Sequence, residues 1–211
     1  MTKAQKFSDV IEILGAKYPS PKTELIYETP YQLLIATILA AQCTDKRVNM
    51  VTAPLFKQYP DAKRMSTLSF EELREHIKSI NFVNNKAKNI LATSQALAEK
   101  YDGRVPETLE ELTALPGVGR KTAHVVMSNV FGKPVLAVDT HVFRVANRIG
   151  LANADNVLDT EKQLVAHVPK TLIGDFHHYL LLHGRYTCTA KSPKCSECLL
   201  THICDYYRTK K

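Results

Sequence analysis

The chain has 211 residues, enough for one large domain or for two small lobes around a substantial core. It carries 28 Lys and Arg against 21 Asp and Glu, a net charge of +7 that favours a polyanionic partner such as nucleic acid. No apolar stretch is long enough to span a bilayer, and no targeting segment precedes the first helical pattern. We therefore expect a cytoplasmic protein with no membrane partner.

The hydrophobic pattern predicts helices and no long alternating strand, so the expected fold class is all-α. In the first half, helices are predicted at 4–17, at 31–43, from Asp45 onward, from the capping box at Ser69 to about 79, and from Asn84 or Asn85 onward. Later helices begin after Thr108 and after a glycine turn, and then cover about 140–149, 159–168 and 174–184. The segment 31–43 is apolar on every side, which predicts a central core helix.

The helical run from 23 to 133 is uninterrupted, whereas the sequence after Pro134 has a composition of its own. We therefore predict two lobes. One comprises residues 23–133, and the other combines residues 1–22 with residues 134–211.

A glycine turn joins the two helices that flank the sequence Leu-Pro-Gly-Val-Gly at 115–119. Pro116 ends the first helix, and Gly117 and Gly119 supply the backbone freedom that a tight turn requires. The next helix begins with backbone amides that have no intrahelical partner, which makes its N-terminus a candidate site for a DNA phosphate. An ordinary αα-hairpin with no ligand is the alternative interpretation.

Lys121 falls in the first turn of that second helix, where the helix dipole disfavours a cation. A structural lysine is better placed at the other end, whereas a neutral lysine amine is a nucleophile suited to forming a Schiff base. Asp139 is the candidate partner, because it ends an apolar run and precedes the next helical pattern. A simple N-cap is the alternative for Asp139, and the two roles are compatible.

Four of the five cysteines follow the spacing C-x6-C-x2-C-x5-C, at Cys188, Cys195, Cys198 and Cys204. This pattern predicts a metal site, and we favour iron–sulfur over the alternatives of four-thiolate zinc and two disulfides. Lys191 and Lys194 lie between the first two cysteines and predict a phosphate-binding loop, with a solvated loop as the alternative.

Taken together, these residues resemble the endonuclease III family of DNA glycosylases with apurinic-site lyase activity. The resemblance extends over essentially the whole chain and includes Leu-Ala-Ala-Gln-Cys-Thr-Asp at 39–45, Leu-Pro-Gly-Val-Gly-Arg-Lys-Thr at 115–122, Val-Asp-Thr-His at 138–141, His-Gly-Arg-Tyr at 183–186 and the cysteine spacing. It implies two helical lobes with DNA in the cleft between them. It also implies a [4Fe-4S] cluster held by the four cysteines.

The resemblance further implies roles for single residues. Lys121 matches the Schiff-base lysine and Asp139 the catalytic aspartate. Gln42 matches the residue that fills the gap left by the extruded base, and Phe82 or a neighbour matches an intercalating wedge. A polar helix end and a core aromatic are the respective alternatives. His141, Gly117, Gly119, Lys191 and Lys194 complete the expected DNA-binding set.

The function implied is a monomeric base-excision-repair enzyme that removes oxidised pyrimidines from damaged double-stranded DNA and then cuts the strand by β-elimination through a lysine Schiff base. One alternative is a related mismatch adenine or thymine glycosylase, which lacks a lysine at the position of Lys121. Another is a non-catalytic DNA-binding or electron-transfer protein, against which Lys121 and Asp139 argue.

Overall fold

A computed structural model describes residues 1–209, and this range contains α-helices and short 3-10 turns but no strand. The predicted all-α fold is confirmed. Within these residues the helices are α1 (Lys3–Lys17), α2 (Pro30–Ala40), α3 (Asp45–Gln58), α4 (Ala62–Met65), α5 (Phe70–His76), α6 (Val83–Lys100), α7 (Leu109–Thr113), α8 (Arg120–Phe131), α9 (Thr140–Ile149), α10 (Val157–Val165), α11 (Ile173–Tyr186) and α12 (Asp205–Thr209). Over the same residues, none of the helices combines the length and apolarity needed to cross a bilayer.

The chain divides into two compact units, which we call the hairpin unit (Thr23–Phe131) and the cysteine unit (Met1–Lys22 with Gly132–Lys211). In the hairpin unit, α2 is the central helix and packs against α3, α6 and α8. Every residue of α2 from Tyr31 to Leu39 is buried. The all-round apolar sequence of this helix therefore corresponds to burial on all sides, as predicted.

Some helix ends in the hairpin unit differ from the sequence predictions. Helix α2 stops at Ala40 and does not continue to Cys43, since Ala41 leaves the helical region with ψ of 113° and Gln42 then adopts a left-handed backbone with φ of 55°. Helix α3 is capped by the Thr44 hydroxyl, which accepts from the Arg47 amide, and Asp45 is its first residue. Helix α6 starts at Val83, directly after left-handed Phe82, and neither Asn84 nor Asn85 caps it.

The cysteine unit is built from both ends of the chain. Its core joins α1, α9, α10 and α11, with buried side chains that include Phe7, Leu14, Val142, Leu164 and Phe176. Helices α9 and α11 pack closely where Gly184 faces His141, since a Cβ added at Gly184 would lie 2.9 Å from the His141 Cβ. This packing fixes α9, the helix that Asp139 precedes.

Candidate functional site

The glycine turn joins α7 to α8 and has the geometry of a tight helix–turn–helix connection. Gly117 has φ of 75°, and a Cβ there would lie 2.7 Å from Asn89 Cβ, so packing and backbone both require glycine. Thr93 Oγ1 holds the turn from α6 by donating to the Pro116 carbonyl oxygen at 2.7 Å. The turn is therefore rigidly supported from the side that faces its own unit.

Gly119 differs from Gly117, because a Cβ added there would have no heavy atom of the structure within 4 Å. Gly119 is exposed and immediately precedes α8. The packing of the hairpin unit therefore does not require glycine at position 119. Its small size instead leaves the first amides of α8 accessible to a ligand, and helix N-terminal amides bind anions well.

Lys121 is the second residue of α8, in the first turn as predicted, and its side chain is exposed. Within residues 23–131 it forms no hydrogen bond and no ion pair. Its neighbours Ala123 and Val126 are fully buried and anchor the helix below it. Lys121 therefore lies on a fixed helix start and has no structural partner in its own unit. Its amine is available to react with a substrate.

Asp139 is the N-cap of α9, as the N-cap interpretation predicted. Its Oδ1 atom accepts from the backbone amides of His141 and Val142, both at 2.8 Å. The carboxylate is half-buried, and Oδ2 accepts no hydrogen bond from the described residues of the cysteine unit. One oxygen therefore fixes the carboxylate to the helix, and the other remains available for a substrate.

His141 is also half-buried and takes part in the same cap through its backbone amide. Its Nδ1 atom lies 3.2 Å from an Arg144 guanidinium nitrogen. Burial lowers the pKa of Arg144, while the nearby Cys188 raises it and Arg148 lowers it. The cap, the imidazole and the guanidinium thus form one polar group at the start of α9.

Gln42 and Phe82 both lie in the hairpin unit and share an unusual backbone. Their φ values are 55° and 58°, in the left-handed region that residues other than glycine seldom adopt. Both side chains are exposed, and 60% of Phe82 is accessible. Phe82 is therefore not a core aromatic. Gln42 lies two residues beyond the last residue of α2.

Cys188, Cys195, Cys198 and Cys204 are all half-buried, and none forms a disulfide. They line a common cavity together with His183, Leu200 and Tyr206. Burial raises the pKa of Cys198 and of Cys204, and the surrounding thiols raise both further. Crowded thiolates of this kind repel one another until iron neutralises their charge, so the donor set fits an iron–sulfur cluster.

The residues 1–209 contain no group of three or more His, Cys, Asp or Glu side chains placed to hold a single metal ion. A cubane cluster requires a different arrangement, because each of its thiolates binds a separate iron atom. A histidine also reaches the cysteine group, since His183 Nε2 lies 3.6 Å from Cys198 Sγ. Burial lowers the pKa of His183 to about 4, so that this imidazole is neutral near pH 7.

Two arginines of α9 hold the start of the cysteine segment. Arg144 donates to the carbonyl oxygens of Gly184 and Cys188, at 2.9 and 3.1 Å. Arg148 donates to the carbonyl oxygens of Thr189 and Ala190, both at 2.8 Å, and stacks on the Tyr206 ring. Sequence reasoning missed both arginines. Their signal was their spacing of four residues, which places them on one face of α9.

Lys191 and Lys194 lie in the loop that these arginines support, and both side chains are exposed. The loop is ordered by two bonds of its own: Thr189 Oγ1 donates to the Ser192 carbonyl oxygen at 2.6 Å, and the Lys194 amide donates to the Thr187 carbonyl oxygen at 2.9 Å. Neither lysine forms an ion pair with the described residues. A fixed backbone thus presents two unpaired cations to solvent.

Comparison with known proteins identifies relatives over the full length of the chain. A family model for the HhH-GPD superfamily base excision DNA repair protein matches residues 35–170, and a model for the iron-sulfur binding domain of endonuclease III matches residues 188–204. Endonuclease III of Rickettsia conorii is 47% identical over 205 residues, covering 97% of this chain and 98% of that protein. Endonuclease III of Escherichia coli strain K12 is 45% identical over 206 residues, covering 98% and 97% respectively. A solved structure of a trapped endonuclease III–DNA covalent intermediate superposes with a TM-score of 0.94 at 42% identity, covering 100% of this chain and 99% of that one.

Proposed function

This chain belongs to the endonuclease III family of base-excision DNA repair enzymes, and we propose that it removes oxidised pyrimidines from duplex DNA and cuts the strand at the resulting abasic site. It is thus a DNA glycosylase with an associated lyase activity. The observation that carries the residue assignment is Lys121, an exposed lysine in the first turn of α8, with no ion pair or hydrogen bond within residues 23–131.

In the proposed reaction, Lys121 Nζ attacks C1′ of the damaged nucleotide, and the base departs with the electrons of the glycosidic bond. The amine loses a proton, and the sugar ring opens to give an iminium ion between Nζ and C1′. The iminium acidifies the C2′ protons. Removal of one of them drives β-elimination, which breaks the C3′–O bond and cuts the strand on the 3′ side.

We assign Asp139 the role of assisting this chemistry. Its Oδ1 atom is held by two amides of α9, whereas Oδ2 has no partner among the described residues of its unit. A fixed carboxylate with one unused oxygen can stabilise positive charge that develops on the sugar as the base leaves. It can also accept the proton that the lysine amine must lose.

The base must leave the stack before Lys121 reaches C1′, which costs a few kcal/mol. We propose that Gln42 fills the space left in the duplex and that Phe82 inserts between bases, because both side chains are exposed and both residues have a left-handed backbone. A phosphate binds at the start of α8, beside Gly117 and Gly119. His141 and the exposed lysines Lys191 and Lys194 contribute further contacts with the DNA backbone.

The protein carries a [4Fe-4S] cluster, and we propose Cys188, Cys195, Cys198 and Cys204 as its ligands. The match of the iron–sulfur model begins and ends on the first and last of these cysteines. The cluster supplies a charged, covalently linked core to a segment with few apolar residues of its own. Its effect on the chemistry is indirect, through the loop that presents Lys191 and Lys194.

We also propose that the enzyme acts as a monomer, in the cytoplasm, where chromosomal DNA is its substrate. The two helical units supply all of the assigned residues from one chain. Light scattering on the purified protein should give the mass of one chain, and with an equimolar short duplex it should give the mass of one chain plus one duplex. A dimer in either sample would contradict this proposal.

Borohydride trapping tests the role of Lys121. The unmodified enzyme should form a stable covalent adduct with a duplex that contains an oxidised pyrimidine or an abasic site. Lys121→Gln should give no adduct and no strand cutting, while it still binds the duplex, since glutamine keeps most of the side-chain volume. An adduct of full yield from Lys121→Gln would place the nucleophile elsewhere. Activity on mismatched adenine or thymine with none on oxidised pyrimidines would contradict the proposed substrate.

A further inference from the structure

We propose that Asn81 and Lys86 are positioning residues that hold the turn at Gln42 and the exposed ring of Phe82 together as one DNA-contacting element. The inference rests on the proposed function, in which Gln42 and Phe82 contact the duplex. It adds two residues that do not touch DNA themselves but fix those that do.

The turn at Gln42 is held from outside its own segment. Asn81 Nδ2 donates to the Gln42 carbonyl oxygen at 2.7 Å. This bond orients a peptide group next to a residue in the left-handed region, a conformation that persists only where neighbouring structure enforces it. The Gln42 carbonyl is thereby occupied, whereas its side-chain amide makes no hydrogen bond within residues 23–131. The amide is therefore free to contact a base.

Lys86 secures the residues just before Gln42. Its Nζ atom donates to the carbonyl oxygens of Leu39 and Ala41, at 2.8 and 2.6 Å. These carbonyls lie at the C-terminal end of α2, where helices leave such groups unpaired and where a cation is favourable. Lys86 is buried, with only 5% of the residue exposed. Its burial lowers its pKa, and the nearby Cys43 acts in the opposite direction.

Burial of a lysine to this extent lowers the stability of the fold unless its ammonium group is well paired. The burial of Lys86 therefore needs an explanation. The packing of α6 does not supply one, because an apolar residue would fill the same face beside Ala87 and Ile90 at lower cost. What Lys86 does contribute is two hydrogen bonds to the end of α2. Those bonds fix where the chain leaves α2 and turns outward at Gln42.

The same short segment carries Phe82. Asn81 and Lys86 lie on either side of it, and the helix begins at Val83 with no side-chain cap. The Phe82 ring is therefore carried by a left-handed residue that directly follows Asn81 and whose carbonyl oxygen accepts from the Lys86 amide, and the side chains of Asn81 and Lys86 both donate to the Gln42 turn. A displacement of either turn is transmitted to the other through these hydrogen bonds. Gln42 and Phe82 should consequently engage DNA as a coupled pair.

The test measures binding and base unstacking with a duplex that carries a tetrahydrofuran abasic analogue opposite 2-aminopurine. The fluorescence of 2-aminopurine rises when that base leaves the stack, so it reports insertion of protein side chains. Asn81→Ala should weaken binding about 2- to 10-fold, the equivalent of one hydrogen bond, and should reduce the fluorescence change. Lys86→Met, which keeps most of the length of the side chain and removes the ammonium, should act in the same direction.

Two matched controls separate positioning from general damage. Asn84→Ala removes another hydrogen-bonded asparagine of the same region, whose Oδ1 accepts from Arg74 Nε at 2.9 Å. Lys100→Met removes an exposed lysine at the far end of α6. Both should match the unmodified enzyme in binding and in fluorescence. If Lys86→Met fails to fold by circular dichroism, Asn81→Ala still decides, because Asn81 is exposed.

A double-mutant cycle separates this inference from the proposed DNA contacts. If Asn81 acts through Gln42, the effect of Asn81→Ala should be much smaller in a Gln42→Ala background. Normal binding by both Gln42→Ala and Phe82→Ala would remove the proposed contacts and this inference with them. Weakened binding by those two, with Asn81→Ala either silent or fully additive to Gln42→Ala, would overturn the positioning role alone.

Discussion

The Asp139 carboxylate has two roles, the N-cap of α9 and the proposed part in catalysis. Substitutions at this position can separate them. Asp139→Asn keeps an oxygen that can accept from the amides of His141 and Val142, and asparagine is as good an N-cap as aspartate. The thermal midpoint should therefore change little. The negative charge is lost, so base excision under single-turnover conditions should slow by roughly 100- to 10,000-fold, the usual contribution of a positioned acid or base.

Asp139→Ala should lose both roles, with a similar loss of excision and a loss of stability of about 1 kcal/mol from the missing cap. Asn156→Ala is the matched control, because Asn156 caps α10 by accepting from the Asp159 amide at 2.9 Å and has no assigned part in catalysis. It should lose a comparable stability and keep full excision. If Asp139→Asn excises at the normal rate, the carboxylate serves only as a cap.

At the scale of the element, the loop between Cys188 and Cys195 is a rigid carrier of two unpaired lysines. Because each phosphate contact adds about 0.9 to the slope of log K against log salt, Lys191→Ala combined with Lys194→Ala should flatten that slope by about 1.8. Affinity should fall on every duplex, whatever its sequence, since phosphate contacts carry no base information. Fluorescence anisotropy across a salt series measures both quantities.

The control for this pair must remove the same charge from elsewhere. Lys63→Ala combined with Lys78→Ala does so, and these lysines are already paired with Asp102 and Glu75. This double variant should keep nearly the original slope. Equal flattening in the two double variants would mean that net charge, and not the loop, determines the salt dependence.

The sequence predicted helix boundaries correctly where the capping residues lie within or next to the helix itself. The helix predicted at 140–149 is α9 in full, and the capping box at Ser69 is present with both of its hydrogen bonds. The end of α2 was predicted three residues too late, and the turn that follows it is hydrogen-bonded to Asn81 and Lys86, about 40 positions away in the chain. No local pattern encodes such a contact.

A signal for Lys86 did exist in the sequence. It lies four residues before Ile90 and eleven before Leu97, on the apolar face of α6. A lysine on that face has to find a buried partner, and only the fold shows that the partner is the end of α2. The candidate catalytic residues and metal ligands could be proposed from the sequence alone, because Lys121, Asp139 and the cysteines lie in motifs whose spacing is short.

At the scale of the whole molecule, the cysteine unit needs both ends of the chain. Lys6 of α1 donates to the Ile149 carbonyl oxygen at 3.0 Å and pairs with Asp205 at 2.7 Å, so residues almost 200 positions apart meet on α9. The hairpin unit is one continuous segment with its own core around α2. The two units therefore differ in what they require to fold, since only the cysteine unit combines distant contacts with a cluster site.

Removal of the iron should accordingly affect the two units unequally. The segment 188–204 has one short 3-10 turn and places only Leu200 and Ile203 among the buried core residues, so we expect its fold to depend on the cluster that its four cysteines would bind. Hydrogen exchange measured by mass spectrometry should show protection lost in this segment and reduced in α9 and α11, while α2 and α6 keep theirs.

The intact protein should be brown, with iron and sulfide at about four each per chain. Cys43→Ser, a thiol of the hairpin unit, should retain colour and protection. Unchanged exchange in residues 188–204 after complete iron loss would show that the segment folds without its cluster.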